Sequence, residues 1–225
     1  MYQVVFIRHG HSVSNEQNLF TGWDDVDLTA KGEQEARDYA KLLAAKGFEF
    51  DIAFTSVLKR AIRTLWITLD ETNQMWIPVV KDWRLNEKHS GALTGLNKAE
   101  AADKFGKDQV YQWINGYDSP PPPLADNSPY MPHGDRRYTA QALPATESLK
   151  QAISRVSQCW DDQIAPQVSN GKQVLVVAHR NILRGLFKHL GQLSDDALLT
   201  LDIANSKPII AKFDEAVGLL DWDYL

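Results

Sequence analysis

Cysteine is almost absent from this chain of 225 residues, since Cys159 is the only one. A single thiol cannot close an internal disulfide, which suits a reducing, cytoplasmic setting. Cys159 shares an apolar helical stripe with Val156 and Trp160, so we expect it in the core. The chain also lacks any apolar run near the ~20 residues that cross a bilayer. Residues 1–7 have neither the basic start nor the cleavage site of a signal peptide, so we expect no membrane association.

Positive charge is not in excess either. The formal net charge is −5, which argues against general nucleic-acid binding. An enzyme for anionic substrates with this balance must concentrate its cations locally. Hydrophobic residues make up 44% and charged residues 24%, which supports a sizeable core. The length fits a single domain over residues 1–225.

Continuous apolar runs alternate with helical patterns along the chain. The strand-like runs are residues 4–7, 51–54, 78–80 and 173–178. Helical spacing predicts helices that begin near Thr29, Ser56 and Thr146, and a fourth over residues 182–191. This alternation predicts an α/β fold, a three-layer sandwich with a mostly parallel sheet flanked by helices on both faces.

Two segments lack this regularity. Between about Tyr117 and Leu143 periodicity vanishes and prolines accumulate, so we expect a long loop that serves as a lid or rim. The tail, residues 214–225, mixes acidic residues with Leu219, Leu220 and Trp222. We expect it either to fold over the mouth of a site or to pack on a neighbouring subunit.

Two of the predicted strands end in histidine. Arg8, His9 and Gly10 close the first strand, and His179 follows the last one directly before a helix. A lone histidine is more often an ordinary core or surface residue. Ligands, however, bind beyond the carboxyl ends of strands in open α/β sheets. If the two strands are neighbours, two imidazoles and an arginine share one crevice.

Basic residues gather at the start of the second predicted helix. Lys59, Arg60 and Arg63 lie in its first two turns, where the helix dipole favours anions. The ordinary interpretation is a solvated basic face. We nevertheless expect an anion among these residues, because Ser56 places the helix start at a strand's carboxyl end. Backbone N–H groups after His179 offer the same anion further donors.

An anion held by Arg8, Arg60 and two imidazoles indicates phosphoryl transfer, in which catalysis is mostly positioning and charge stabilisation. Neutral histidine is a competent nucleophile, and adjacent arginines should keep the pKa of His9 low enough for it to remain neutral. Glu87 is a candidate proton donor to the leaving oxygen. Taken alone, such a glutamate is more often a surface residue in a salt bridge.

Longer motifs resemble one family. They are residues 8–10 (RHG), 20–23 (FTGW), 55–61 (TSVLKRA), 83–87 (WRLNE) and 91–98 (GALTGLNK), with the prolines from Pro120. In this order they closely resemble the 2,3-bisphosphoglycerate-dependent phosphoglycerate mutases of the histidine phosphatase superfamily. The match runs from residue 2 to about residue 213. The resemblance implies a mutase without metal that is primed by 2,3-bisphosphoglycerate and carries phosphate on a histidine at rest.

The resemblance also assigns roles by position. His9 corresponds to the phosphorylated nucleophile and Glu87 to the proton donor and acceptor, while the phosphoryl group is held by His179, Arg8 and Arg60. Contacts to substrate or its phosphate fall to Asn15, Thr21, Gly22, Lys98 and Asn181. The implied substrate is a small phosphorylated acid, and the implied assembly is a homodimer or homotetramer.

Several positions depart from the family pattern. Ser90 replaces the usual tyrosine, Ile114 and Asn115 replace paired arginines, and Arg180 replaces a glycine. His11 stands where the family usually has glutamate or glutamine. These changes leave the chemistry of phosphate on His9 untouched and concern recognition of the substrate's distal anionic groups. We expect Arg180 to replace one lost arginine from the opposite wall of the pocket.

The leading hypothesis is a phosphoglycerate mutase that interconverts 2-phosphoglycerate and 3-phosphoglycerate in glycolysis and gluconeogenesis. The alternative is a histidine-family phosphatase, or a mutase relative acting on another small phosphorylated acid. A non-catalytic descendant is disfavoured, because all five candidate catalytic residues are present. A metal site at His9 and His11 is disfavoured too, because no carboxylate or cysteine lies at ligand spacing.

Overall fold

The computed structural model describes residues 1–139, 143–191 and 193–225. The strands are β1 (Tyr2–Arg8), β2 (Ile52–Thr55), β3 (Val79–Lys81), β4 (Val174–Ala178), β5 (Ile209–Phe213) and β6 (Leu219–Tyr224). The helices are α1 (Val13–Glu16), α2 (Ala30–Ala45), α3 (Lys59–Glu71), α4 (Lys98–Phe105), α5 (Lys107–Asn115), α6 (Leu149–Cys159), α7 (Ala165–Ser169), α8 (Arg180–Gly191) and α9 (Asp195–Thr200). A π-helical segment, Trp160–Ile164, joins α6 to α7. Within the described ranges, no helix has the length and apolar character needed to span a bilayer.

The strands form one sheet in the order β3-β2-β4-β1-β5-β6. The four strands from β3 to β1 run parallel, whereas β5 is antiparallel to β1 and β6 is antiparallel to β5. The predicted mostly parallel sheet is therefore confirmed. Its central neighbours, β1 and β4, are the two strands that end in histidine.

Alternate residues of β1 enter different hydrophobic layers. Val4 and Phe6 pack in the layer that contains residues of α6 and α8. Val5 and Ile7 pack in the layer that contains residues of α2 and α3. Because both faces of the strand are covered, its sequence is continuously apolar rather than alternating. The three-layer α/β architecture is confirmed.

The helix starts agree with the sequence at Thr29 but not at Ser56. Thr29 caps α2 by accepting a hydrogen bond from the N–H of Gly32 at 3.1 Å. Helix α3 instead begins at Lys59, with Leu58 at the cap position and no side-chain cap. The Ser56 hydroxyl accepts from the N–H of Leu58 at 3.2 Å in the turn before the helix. The sequence did not separate these cases, because serine favours both caps and turns.

The tail does not fold over the site, and its packing on a neighbouring subunit stays a prediction. It forms β6, which pairs with β5 and makes one edge of the sheet. The ring of Trp222 lies 4.9 Å from that of Phe187 in α8, centroid to centroid. The tail thus extends the sheet and does not fold over the site as a lid.

The proline-rich loop has no helix or strand over residues 117–139. Arg137 attaches it to the rest of the chain, since Nη1 lies 2.6 Å from Oδ2 of Asp25. Tyr138 stacks on Trp23 at 5.0 Å and accepts a hydrogen bond from Nδ2 of Asn86. Residues 140–142 of the predicted lid lie outside the described residues. The lid function stays a prediction.

Candidate active site

The sheet brings the two strand-end histidines together. Arg8 pairs with Ala178 in the β1–β4 register, and the N–H of His9 donates to the carbonyl of Ala178 at 3.0 Å. The His9 and His179 rings are 5.0 Å apart, centroid to centroid, and both residues are buried. The expected crevice therefore exists, and the parallel pairing of β1 with β4 creates it.

His9 presents a lone pair at Nε2. Its Nδ1 lies 2.8 Å from the carbonyl oxygen of Gly10. A carbonyl only accepts, so Nδ1 carries the hydrogen of the neutral ring and Nε2 does not. Burial lowers the pKa of His9 well below its ordinary value, and the nearby Arg60 and Arg8 lower it further. His9 is therefore a neutral imidazole suited to nucleophilic attack through Nε2.

Arg60, which is buried, and Arg8, which is partly buried, supply positive charge beside His9. Arg60 is fully buried and donates to the carbonyls of Gly22 and Asp24 at 2.8 and 2.9 Å. Burial lowers its pKa to about 10, which leaves it charged at neutral pH. Arg8 donates Nη1 to the carbonyl of Ile203 at 2.7 Å, while its buried Nε has no partner within the described residues. An anion at this position would satisfy that donor.

Only one of the three basic residues at the start of α3 faces the site. Lys59 and Arg63 are four positions apart and share a helix face, whereas Arg60 lies on another. Arg63 forms a bidentate pair with Asp27, with both distances 2.6 Å. The expectation of an anion among all three is wrong for Lys59 and Arg63. Their spacing in the sequence already contained this signal.

A cavity of about 130 Å³ opens beside His9. Ten of the eleven predicted site residues line it, and the exception is His179. The volume lies below the ~300 Å³ at which sites for drug-sized ligands begin, so it suits a small substrate. Among the departures, Ser90, Ile114 and Arg180 line the cavity, whereas Asn115 and His11 do not.

Glu87 is held in place through its backbone. Its carbonyl accepts from Nε1 of Trp23 at 2.6 Å and from Nη2 of Arg155 at 2.9 Å. Arg155 in turn forms a buried ion pair with Glu147 at 2.6 Å. The Glu87 carboxylate accepts from the N–H of Lys88 at 2.7 Å and lies on the cavity wall. Its place on the cavity wall makes Glu87 a candidate for proton transfer to a bound substrate.

Two asparagines bind protein groups through their side-chain oxygens. Oδ1 of Asn15 accepts from the N–H and the hydroxyl of Ser12, at 3.1 and 3.0 Å. Oδ1 of Asn181 accepts from Nη1 of Arg184 at 2.9 Å. Both asparagines line the cavity, and neither Nδ2 group has a hydrogen-bond partner within the described residues, so each can donate to a ligand.

Arg180 stands at the rim, at the first position of α8. Its Nε lies 3.0 Å from Oδ1 of Asp202, so its guanidinium is tethered on one side. The charge of Arg180 contributes to lowering the pKa of Lys98, after burial and Arg8. Arg8, Lys98 and Arg180 therefore influence one another across the cavity. This concentration of cations meets the expectation drawn from the acidic overall balance.

Lys88 is a cavity residue that the sequence motifs did not indicate. It is buried, lines the cavity and donates Nζ to the carbonyl of Trp113. Burial lowers its pKa to about 8. Its position directly after the motif of residues 83–87, which ends in Glu87, could have indicated that it belongs to the site. A lysine is usually exposed, so the sequence alone favoured a surface position.

Among the residues that the structure describes, no group of three or more His, Cys, Asp or Glu side chains is arranged to hold a metal ion. Cys159 is buried, as expected, and burial raises the pKa of its thiol to about 12. It is therefore a core residue and not a nucleophile.

The chain matches the family model of the histidine phosphatase superfamily (branch 1) over residues 4–221. The chain belongs to this superfamily. Two proteins named 2,3-bisphosphoglycerate-dependent phosphoglycerate mutase, from Streptococcus agalactiae serotypes Ia and V, are each 50% identical over 228 residues, covering 100% of this chain and 99% of theirs. The family resemblance stated from the motifs is thereby confirmed.

Solved structures of two phosphatases share the fold. The alpha-ribazole phosphatase from Shigella flexneri matches with a TM-score of 0.72 and 20% identity, covering 97% of this chain and 94% of that one. A mycobacterial glucosyl-3-phosphoglycerate phosphatase matches with a TM-score of 0.71 and 19% identity, covering 100% and 97%. At these identities the likeness establishes the fold alone.

Proposed function

We propose that this protein is a phosphoglycerate mutase that interconverts 2-phosphoglycerate and 3-phosphoglycerate through phosphorylated His9. The observation that carries the proposal is the neutral His9, which presents its Nε2 lone pair on the cavity wall beside Arg8 and the buried Arg60. The relatives at 50% identity supply the substrate class. The reaction would make the enzyme an isomerase of glycolysis and gluconeogenesis.

In the proposed mechanism, a phosphoryl group moves between His9 and a hydroxyl of the substrate. When His9 attacks, an Nε2–P bond forms, the P–O bond breaks, and Glu87 gives a proton to the leaving oxygen. In the reverse direction the substrate hydroxyl returns its proton to Glu87 and attacks phosphorus, and the N–P bond breaks. Arg8, Arg60 and His179 stabilise the charge on the transferred oxygens.

The residues fit 2,3-bisphosphoglycerate as the primer. One phosphate would contact Arg60 and Arg8, whose Nε has no partner within the described residues. The distal anionic groups would contact Lys98 and Arg180. When bound, this molecule supplies the phosphoryl group that loads His9. Asn15, Asn181, Thr21 and Gly22 are proposed to contact the substrate or its phosphate through their donors on the cavity wall.

One observation favours the second candidate, a histidine-family phosphatase or a mutase relative with another small phosphorylated acid. The α5 wall of the cavity is lined by Trp113 and Ile114, which offer no charge to a distal anion. In the phosphatase, water and not a substrate hydroxyl would accept the phosphoryl group from His9.

We further propose a cytoplasmic homodimer or homotetramer. Trp66, Met75 and Trp76 are exposed beside β3, which is an edge strand of the sheet. An open strand edge flanked by large apolar side chains is suited to pairing with a second copy.

The deciding experiment supplies 3-phosphoglycerate and a trace of 2,3-bisphosphoglycerate and follows the products by phosphorus NMR. Rapid formation of 2-phosphoglycerate without free phosphate is the expected result. Release of phosphate as the main product would support the phosphatase instead. His9→Ala should form no phosphoenzyme, and labelled phosphate that still appears on this variant would remove His9 from its role.

A further inference from the structure

Ser56 and His179 occupy equivalent places on neighbouring strands. Ser56 directly follows β2 and His179 directly follows β4, and Thr55 pairs with Val177 in that parallel register. Oγ of Ser56 lies 2.8 Å from Nε2 of His179, and both residues are completely buried. The sheet register therefore fixes this contact.

The hydrogen-bond partners of Ser56 determine where the proton of His179 lies. The Ser56 oxygen already accepts from the N–H of Leu58 at 3.2 Å. Its own hydroxyl hydrogen needs an acceptor, and an N–H group cannot serve as one. Within the described residues, Nε2 of His179 is the acceptor that the hydroxyl reaches. Nε2 then carries no hydrogen, so the neutral ring carries it on Nδ1.

His179 is surrounded by groups that keep it neutral. Burial lowers its pKa well below the ordinary value, with further lowering from Arg60 and His9. Its Nδ1 is buried and has no partner among the described residues. A buried donor without an acceptor is unfavourable, and an oxygen of a bound phosphoryl group would supply the acceptor. The His9 ring is 5.0 Å away, a gap that one phosphoryl group can bridge.

We propose that Ser56 is a positioning residue that holds His179 as the neutral Nδ1–H tautomer. His179 then donates a hydrogen bond to the phosphoryl group on His9 and takes no part as a proton acceptor. The second statement rests on the proposed function of His9. The first concerns the resting protein and requires no substrate.

The tautomer can be measured directly by nitrogen-15 NMR on histidine-labelled protein at neutral pH, with the His179 signals assigned from a His179→Asn variant. We expect a protonated Nδ1 and an unprotonated Nε2 in the wild type. Ser56→Thr keeps the hydroxyl and should keep this pattern, whereas Ser56→Ala should lose it. A protonated Nε2 or a charged ring in the wild type would overturn the proposal.

Orthovanadate, a mimic of the transferred phosphoryl group, tests the second statement without any assumption about substrate. Loss of one hydrogen bond to a charged group changes binding about tenfold or more, so Ser56→Ala should bind vanadate about tenfold more weakly. Thr55→Val is the matched control, because the Thr55 hydroxyl donates to the carbonyl of Val177 and not to His179. It should leave vanadate binding and the tautomer unchanged.

The outcomes separate this proposal from the proposed function. If the enzyme fails to isomerise phosphoglycerate but the tautomer and vanadate results are as expected, only the substrate assignment is wrong. Unchanged vanadate binding in a folded Ser56→Ala protein would refute the role of the Ser56–His179 contact, whatever the substrate. A lower stability alone, with the tautomer intact, would mean that Ser56 only closes the turn before α3.

Discussion

Replacing Arg180 with glycine restores the residue usual in the family and tests how this pocket recognises the far end of its substrate. One side of the guanidinium is tethered to Asp202, whose carboxylate is 74% exposed. The terminal Nη groups have no hydrogen bond within the described residues. They are thus available to a carboxylate or phosphate in the cavity. Arg180→Gly removes these donors and leaves His9, Arg8 and Arg60 in place.

The size of the effect follows from the setting of Arg180. A charge-assisted hydrogen bond contributes about 1.5–3 kcal/mol. The side chain is 24% exposed, so solvent screening places the loss in the lower part of that range. At about 1.36 kcal/mol per factor of ten, a loss of about 1.5–2 kcal/mol lowers kcat/KM roughly 10- to 30-fold. Because the contact is to a non-reacting part of the substrate, most of the change should appear in KM.

The assay couples formation of 2-phosphoglycerate to enolase and compares kcat and KM between wild type and Arg180→Gly. Cleavage of p-nitrophenyl phosphate, which has no carboxylate, should be unaffected. Arg37→Ala is the control variant, since Arg37 also pairs with a carboxylate, Glu71, but does not line the cavity. An unchanged KM for phosphoglycerate would refute the role of Arg180. Adding Ile114→Arg to the glycine variant should recover part of the loss if the two walls are interchangeable.

Two further predictions concern the support behind the site. Glu147→Gln breaks a buried ion pair with Arg155, in which the side chains are 6% and 8% exposed, and should lower the free energy of unfolding by about 3–5 kcal/mol in a urea titration. The exposed pair of Lys150 with Asp118 is the control, and equal midpoints for Glu147→Gln and Lys150→Ala would contradict the argument. Burial lowers the pKa of His89 from 6.5 to about 4, so between these pH values only the unfolded chain takes up this proton. The contribution of neutral His89 to the free energy of unfolding is therefore fully present above pH 6.5 and is lost as the pH falls towards 4. His89→Asn should remove about 3 kcal/mol of that acid-induced loss, and identical pH profiles of the urea midpoint would count against a neutral His89.

The centre of the sheet was predictable because burial on both faces leaves a strong signal in sequence. Residues 4–7 of β1 and the whole of β4 are continuously apolar, and a strand of that kind belongs inside a parallel sheet. Two histidines at their carboxyl ends then had to meet if the strands paired. From the sequence, the pairing of these two strands could only be assumed. The register between Arg8 and Ala178 supplies it.

The edge of the sheet was not predictable in the same way. Strand β6 contains Asp221 and Asp223 beside Leu219 and Trp222, so its sequence resembles an acidic tail more than a strand. Its position depends on pairing with β5 and on the contact of Trp222 with Phe187, both of which are non-local. Helices α4 and α5 were missed as well, since each is short and only one residue in each is buried. Weak burial leaves weak periodicity.

The sequence also did not reveal the directions of certain side chains, on which the chemistry of the site depends. Ser56 was interpreted as a helix cap because serine favours that position, but the sheet aims it at His179. Lys88 was left out because lysine is usually exposed, although here it is buried beside Glu87. In both cases the residue type indicates a common local role. The tertiary neighbours assign a different one.

The two halves of the cavity are built differently, and this bears on the departures at Ile114 and Arg180. The half around His9 is formed by strand ends and by Arg60, which is buried in the start of α3, so a change there disturbs the core as well as the chemistry. The far half is formed by the start of α8 and the end of α5, where Arg180 and Ile114 are only partly buried. Substitutions at that end alter recognition at little cost to folding. A change of distal contacts from α5 to α8 can therefore occur while the arrangement of side chains around His9 is retained.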